Sequence, residues 1–174
     1  MINVDPSIRV RRGRQDEVGE LARLHVDVWK VTYSDLAPSE AVKQLDEAKR
    51  LPYWTKATTI IEAGRGVWVL DDAGTLLGVV SIGPSDHSVF EERAELKHLY
   101  VANDAQGQGL GELLLCTAIN ECKAAGDLGM ALAVVRQNER ARRFYRKMGG
   151  VEVSNFTDAG PLWRSDNILV AWDF

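Results

Sequence analysis

Residues 101 to 115 read VANDAQGQGLGELLL. Gly107, Gly109 and Gly111 stand there between an apolar run and a leucine-rich stretch. A chain gives up side chains at that spacing where its backbone must turn tightly or approach something closely. The flanks set the geometry. ERAELKHLYV (92–101) reads as a strand. The segment 109–125 reads as a helix with Leu110, Leu113, Leu114, Thr117 and Ala118 on its inner face. MALAVV (130–135) is a short, fully apolar strand. Strand, helix and strand in this order make a parallel crossover. The loop then sits at a helix N-terminus, where free N–H groups and the helix dipole favour an anion.

The remaining elements surround that crossover. SIRVRR (7–12) is a first strand, and 16–30 is a helix with Asp16 as its N-cap. A second helix runs from Ser39, with Val42, Leu45 and Ala48 on one face and Pro52 near its end. GVWVLD (66–71) and TLLGVVSIG (75–83) flank a DAG hairpin turn. NERARRFYRKM (138–148) is a helix capped by Asn138, with Ala141, Phe144, Tyr145 and Met148 along one face. VEVSNF (151–156) and NILVAWDF (167–174) are closing strands. Hairpin-linked strands beside one crossover predict an α+β chain with a mixed, mostly antiparallel sheet.

Composition excludes several classes. The chain has 174 residues, 45% of them hydrophobic, so it can bury one proper core. No long uncharged apolar stretch predicts a membrane helix, and the start MINVDPSIRVRRGRQ lacks the apolar core of a signal peptide. A net charge of −4 argues against general nucleic-acid binding. Cys116 and Cys122 lie on one helix without C-x-x-C spacing and read as buried small hydrophobes in a reducing, cytoplasmic setting. His25, His87 and His98 lack metal-ligand spacing, so no metal is expected; His25 reads as a satisfied core histidine.

Three anions compete for the loop. A nucleoside triphosphate would need Gly-Lys-Ser/Thr, which does not occur. A dinucleotide would need a third glycine where Glu112 stands, and an acid after the next strand, which ends VVRQ. The pattern present, Gln106-x-x-Gly109-x-Gly111, resembles the pyrophosphate motif of the GNAT superfamily of acyl-CoA-dependent N-acetyltransferases. NERARRFYRKMG resembles that family's later pattern at Asn138, Ala141, Phe144, Tyr145, Lys147 and Gly149. The two motifs stand in the family's order, one short strand apart. Gly150 departs from it, replacing a usual aromatic, which predicts looser packing there.

The resemblance implies a single GNAT domain over 1–174, a three-layer α/β/α fold with a six- to seven-stranded sheet. It implies acetyl-CoA as co-substrate. The diphosphate would rest on main-chain N–H groups of Gln106, Gly107, Gln108, Gly109, Leu110 and Gly111. The pantetheine arm would lie against Leu99, Tyr100 and Val101, with an N–H near Leu99 facing the thioester oxygen. Asn138 and Ala141 would adjoin the coenzyme, and Arg143 would meet a phosphate. Tyr145 resembles the general acid that protonates the departing thiolate. An alkylamine, with a pKa of about 10.4, arrives protonated and needs a base. Glu95 sits at the offset used by a histone-acetylating branch of the family; alternation sets it on one face with Lys97, Leu99 and Val101. A plain surface pairing of Glu95 with Lys97 competes with that role, and His98, another carboxylate or water are alternative bases.

The acceptor would be walled by HVDVWKVTYSDLAP and by the loop before the last strand. Trp29, Tyr33, Asp27 and Asp35 stand in the first segment, and Trp163 and Arg164 in the second. Aromatics with acids would suit a small-molecule amine: a polyamine, an amino acid or an antibiotic-like amine. Acetylation of a protein amine, or a catalytically silent coenzyme-binding sensor or partner domain, are the other readings. A homodimer is expected by family analogy alone, with no nucleic acid or membrane as partner.

Overall fold

A computed structural model describes residues 5–85 and 87–174. Seven strands form one sheet: β1 (Ile8–Arg12), β2 (Gly66–Asp72), β3 (Thr75–Gly83), β4 (Ala94–Val101), β5 (Gly129–Val135), β6 (Val151–Asp158) and β7 (Ser165–Asp173). Their order across the sheet is β1-β2-β3-β4-β5-β7-β6. Only the β4–β5 pair is parallel. The helices are α1 (Val18–Tyr33), α2 (Ser39–Gln44), α3 (Glu47–Ala57), α4 (Leu110–Ala125) and α5 (Glu139–Lys147). Sheet and helices make the three-layer α+β arrangement predicted above.

The two faces of the sheet carry separate cores. Trp68, Leu70, Val80 and Ile82 pack beneath α4, with Ala141, Phe144 and Tyr145 of α5 against the same cluster. Val67, Val69 and Val79, on the alternate positions, pack with Leu21, Ala22 and Val28 of α1 and Trp54 and Ala57 of α3. This is the strict alternation of strands buried on both sides.

Several local expectations are corrected. Asp16 does not cap α1; it lies in a 3-10 turn, Gln15–Glu17, and the N-cap is Glu17. The carboxylate of Glu17 is drawn instead to the Arg14 N–H at 2.9 Å and to the Arg11 guanidinium. The single helix expected after Ser39 is two, because the Asp46 side chain accepts from Lys49 N–H at 2.9 Å and starts α3 afresh. Pro52 lies inside α3 rather than at its end. The full burial of Trp54, just beyond it, offsets the ladder bond that proline cannot make. On α4 the buried set is Leu110, Leu114, Leu115, Ala118 and Cys122, with Leu113 on the flank.

One irregularity matters for function. Ser81 pairs with His98 but Ile82 pairs with Leu96, so Lys97 is an extra residue in β4. The bulge breaks the alternation. Leu96, Leu99 and Val101 all belong to the α4 side. Glu95, opposite in parity to Leu96, turns to the α1/α3 side with His98 and Tyr100. Glu95 therefore does not share a face with Leu99 and Val101, and His98 is not opposite to it.

Gly150 does not loosen its surroundings. A Cβ there would sit 2.6 Å from both Trp172 and Val170. Trp172 fills the space an aromatic at 150 would take, and its Nε1 donates to the Met148 carbonyl at 3.0 Å.

Candidate active site

β4 and β5 pair only at Ala94–Met130 and Glu95–Ala131. Beyond that point they part. A cleft of about 790 Å³ fills the opening, lined by Leu96–Val101 on one side and Leu132–Val134 on the other. The main chain of β4 facing this gap has lost its strand partner. Such an edge inside a molecule presents N–H and C=O groups to whatever fills the cleft.

The cleft ends at the glycine loop. Gly107 and Gly109 have φ of 82° and 80°, left-handed values that a residue with a Cβ adopts at a cost of about 1–2 kcal/mol. Gly109 is the N-cap of α4, so the first N–H groups of that helix open toward the cleft. Gly111 is neither left-handed nor crowded: a Cβ there would make only ordinary contact with the Phe144 ring at 3.5 Å. The Gln106 side chain braces the loop. Its Nε2 donates to the Val101 carbonyl at 3.1 Å, and its Oε1 accepts from Arg140 at 2.9 Å. This leaves the main chain of the loop to meet an anion, so the residues present fit a diphosphate.

α5 supplies the third wall. The Asn138 side chain caps it, accepting from Ala141 N–H at 3.2 Å. Tyr145 lines the cleft, its ring edge-on to Trp172 at 6.1 Å. Burial, with the nearby Tyr33 phenol, pushes the Tyr145 hydroxyl above its ordinary 10.0, so it stays protonated near neutral pH. Tyr33 also lines the cleft, and burial raises its phenol against a small opposing effect of the Asn138 side chain.

Of the residues singled out from sequence, the cleft brings together Leu99, Tyr100, Val101, Gln106, Gly107, Gly109, Leu110, Gly111, Asn138, Ala141, Tyr145, Tyr33, Asp35 and His98. Gln108, Arg143, Glu95, Trp29, Trp163, Asp27 and Arg164 lie off its lining. Trp29 is buried with Val26, Ala41 and Leu45, and Trp163 packs on the same cluster. Glu95 pairs with Lys97 at 2.8 Å, its side chain 18% exposed, and its neighbour Lys97 lines the cleft. Arg143 is exposed, whereas Arg140 faces the loop. The missed signal was periodicity: Arg140 stands one helical turn before Phe144, which lines the cleft. Glu112, which spoiled a dinucleotide reading, pairs with Lys147 at 2.6 Å and ties α4 to α5.

His25 is buried but not satisfied. Its Nδ1 has no partner, and its Nε2 lies 3.4 Å from the Tyr100 hydroxyl. Burial, then the neighbouring His98 and Arg50, push His25 down to about 2; burial, Arg50 and Lys97 push His98 down to about 3. Both imidazoles are neutral near pH 7. Among the described residues, no group of three His, Cys, Asp or Glu side chains is placed to hold a metal ion.

Residues 21–150 match the acetyltransferase (GNAT) family. The chain belongs to that family. It is 26% identical over 132 residues to the uncharacterized N-acetyltransferase YuaI of Bacillus subtilis (strain 168), covering 75% of this chain and 73% of the relative. It is 31% identical over 109 residues to the L-amino acid N-acyltransferase MnaT of Escherichia coli (strain K12), covering 62% and 61% of the two chains. Among solved structures, the PaiA N-acetyltransferase of Thermoplasma acidophilum, in complex with coenzyme A, superposes with a TM-score of 0.77. That match covers 96% of this chain and 99% of the other at 20% identity, and shows the shared fold.

Proposed function

We propose that this chain is an acetyl-CoA-dependent N-acetyltransferase that moves an acetyl group to a primary amine of a small molecule by direct attack in a ternary complex. The observation that carries the reading is the cleft that joins an open β4 edge to the left-handed glycine loop. A long ligand with an anionic middle and an amide-bearing arm matches that sequence of surfaces. N–H groups from Gln106 to Gly111 hold the diphosphate, with Asn138 and Ala141 beside the coenzyme and Arg140, in place of Arg143, near its phosphates. Main-chain groups of Leu99, Tyr100 and Val101 pair with the arm, and an N–H near Leu99 faces the thioester oxygen.

Glu95 takes a proton from the arriving ammonium, directly or through water, from the α1/α3 side to which the bulge turns it. His98 is a poor base, because an imidazole held near 3 carries little driving force at neutral pH. The neutral amine attacks the thioester carbon, the carbon–sulfur bond breaks, and Tyr145 gives its proton to the thiolate. The nitrogen loses its remaining extra proton, which restores the phenol. Tyr33 lies where the acceptor meets Tyr145, and Trp29 and Trp163 support that wall from behind.

The acceptor classes carried forward are a polyamine, an amino acid and an antibiotic-like amine; the relative named for L-amino acids supports the second. The reading also includes one acetyltransferase domain over 1–174, a cytoplasmic setting, supported by two free thiols, and a homodimer by family analogy. Among the described residues, no helix is long and apolar enough to cross a membrane.

The test is release of free coenzyme thiol from acetyl-CoA across a panel of amines. Turnover with at least one small amine is expected. Tight acetyl-CoA binding with no thiol release from any small or protein amine would make the chain a coenzyme-binding module instead.

A further inference from the structure

The α1/α3 face of β4 carries a cluster that the reaction steps above do not use. His25 of α1, Tyr53 and Trp54 of α3, and His98 and Tyr100 of β4 pack ring against ring, with Arg50 of α3 one helical turn before Trp54. The His25 and His98 rings are 4.8 Å apart, and Tyr53 and His98 are 4.6 Å apart. Three buried polar atoms here have no hydrogen-bond partner: His25 Nδ1, Arg50 Nε and Trp54 Nε1. Among the described residues only one other buried side-chain polar atom, Ser154 Oγ, shares that state. Such concentration of unmet polar atoms is uncommon in folded proteins and calls for a partner.

Arg50 is the one cation among these six residues. Burial presses its guanidinium toward the neutral form, and among the described residues no carboxylate forms an ion pair with it. Glu95, the acid on this face, is taken by Lys97 at 2.8 Å. Tyr53 is engaged with Ser81 at 2.8 Å. The face therefore holds one half-buried cation in surplus beside two neutral imidazoles. His98 and Tyr100, the β4 members of the cluster, both line the cleft, whereas Arg50 lies off its lining. A guanidinium held partly out of water without a counter-ion carries a cost, and its planar fork matches a carboxylate.

Resting on the transferase reading above, we propose that Arg50 binds a carboxylate of the acceptor, so that the substrate is an amino acid rather than a polyamine. A polyamine would bring further positive charge against the unpaired guanidinium. An amino acid brings one amine for the reaction and one carboxylate for Arg50.

The test reads binding, not turnover. N-acetyl-L-amino acids, their matched amides and N-acetylspermidine are titrated calorimetrically into the protein saturated with coenzyme A. At least one acid should bind about tenfold or more tighter than its amide, the scale of a charged hydrogen bond. Arg50→Gln should bring acid and amide within about threefold, and Arg50→Lys should restore part of the difference. The melting temperature of Arg50→Gln should hold or rise, because an uncompensated cation is removed. The proposal is overturned if no acid binds, if amides or N-acetylspermidine bind as tightly as every acid, or if Arg50→Gln keeps the wild-type ratio. A failed transferase reading shows separately, as absent thiol release with acetyl-CoA.

Discussion

The two sides of the cleft are built in different ways. The α4/α5 side is made of main chain: two left-handed glycines, a helix N-terminus and an open strand edge. The α1/α3 side is made of side chains brought from three distant segments, with unmet donors among them. A ligand part that never varies can be held by backbone, which any sequence carries once the glycines are in place. A ligand part that distinguishes one enzyme from its relatives must be held by side chains, and those can be exchanged without disturbing the fold.

Perturbing each side should therefore give different signatures. The largest effect is expected where the sides meet. Tyr145→Phe should lower kcat by about 10²-fold or more, with the KM for acetyl-CoA little changed. Unchanged turnover would remove Tyr145 from the chemistry. Glu95→Gln should flatten the rise of kcat/KM toward basic pH, with a loss approaching 10²-fold on that limb. An identical pH profile would assign the proton to water or another group.

The histidine cluster makes a prediction about stability. His25 and His98 are held neutral in the folded chain, near 2 and 3, whereas the unfolded chain takes up protons below about 6.5. The unfolded state then binds more protons, so stability is full above pH 6.5 and falls as pH drops toward the folded values. Each histidine contributes a slope of up to about 1.4 kcal/mol per pH unit. Between pH 6.5 and 4.5, carboxylates such as Glu17, held below their ordinary 4.5, add little. Chemical denaturation at pH 6.5, 5.5 and 4.5 should show the decline, and His25→Gln should reduce its slope by about half. A flat profile would mean that one or both rings carry a proton when folded.

The smallest effect is expected from the loop. Gly109→Val imposes a left-handed backbone on a β-branched residue, about 1–2 kcal/mol, and should raise the KM for acetyl-CoA by about tenfold. The KM for the amine should stay within about twofold, because that side is not touched. Equal losses for both substrates would show that the two sides are not separable.

The same division explains how much could be read in advance. The glycine loop, the Asn138 cap and the position of Tyr145 are local features, spelled out over a few residues, and they were legible. The hairpin at Ala73 and Gly74 was legible for the same reason, with both residues at positive φ. The bulge at Lys97 was not, because an inserted residue leaves no trace in a run that still looks like a strand. It turned Glu95 away from the face shared by Leu99 and Val101 and set it on the side of His98 and Tyr100. The break between α2 and α3 carried a signal, Asp46 three residues before Lys49, that a single periodic run obscured. Trp172 filling the space beside Gly150 depends on a contact between residues far apart in sequence, and no local pattern reports it. The Arg50 cluster was invisible for that reason too: His25, Arg50 and His98 are unremarkable until the sheet brings them together.

The central claim is that main chain just past Val101 grips the diphosphate of coenzyme A and lays the acyl sulfur beside Tyr145. A crystal structure with acetyl-CoA tests it most directly. The account predicts the diphosphate on the N–H groups between Gln106 and Gly111, with the sulfur within hydrogen-bonding reach of the Tyr145 hydroxyl. A diphosphate bound anywhere else, or a sulfur on the far side of β4 from Tyr145, would contradict it.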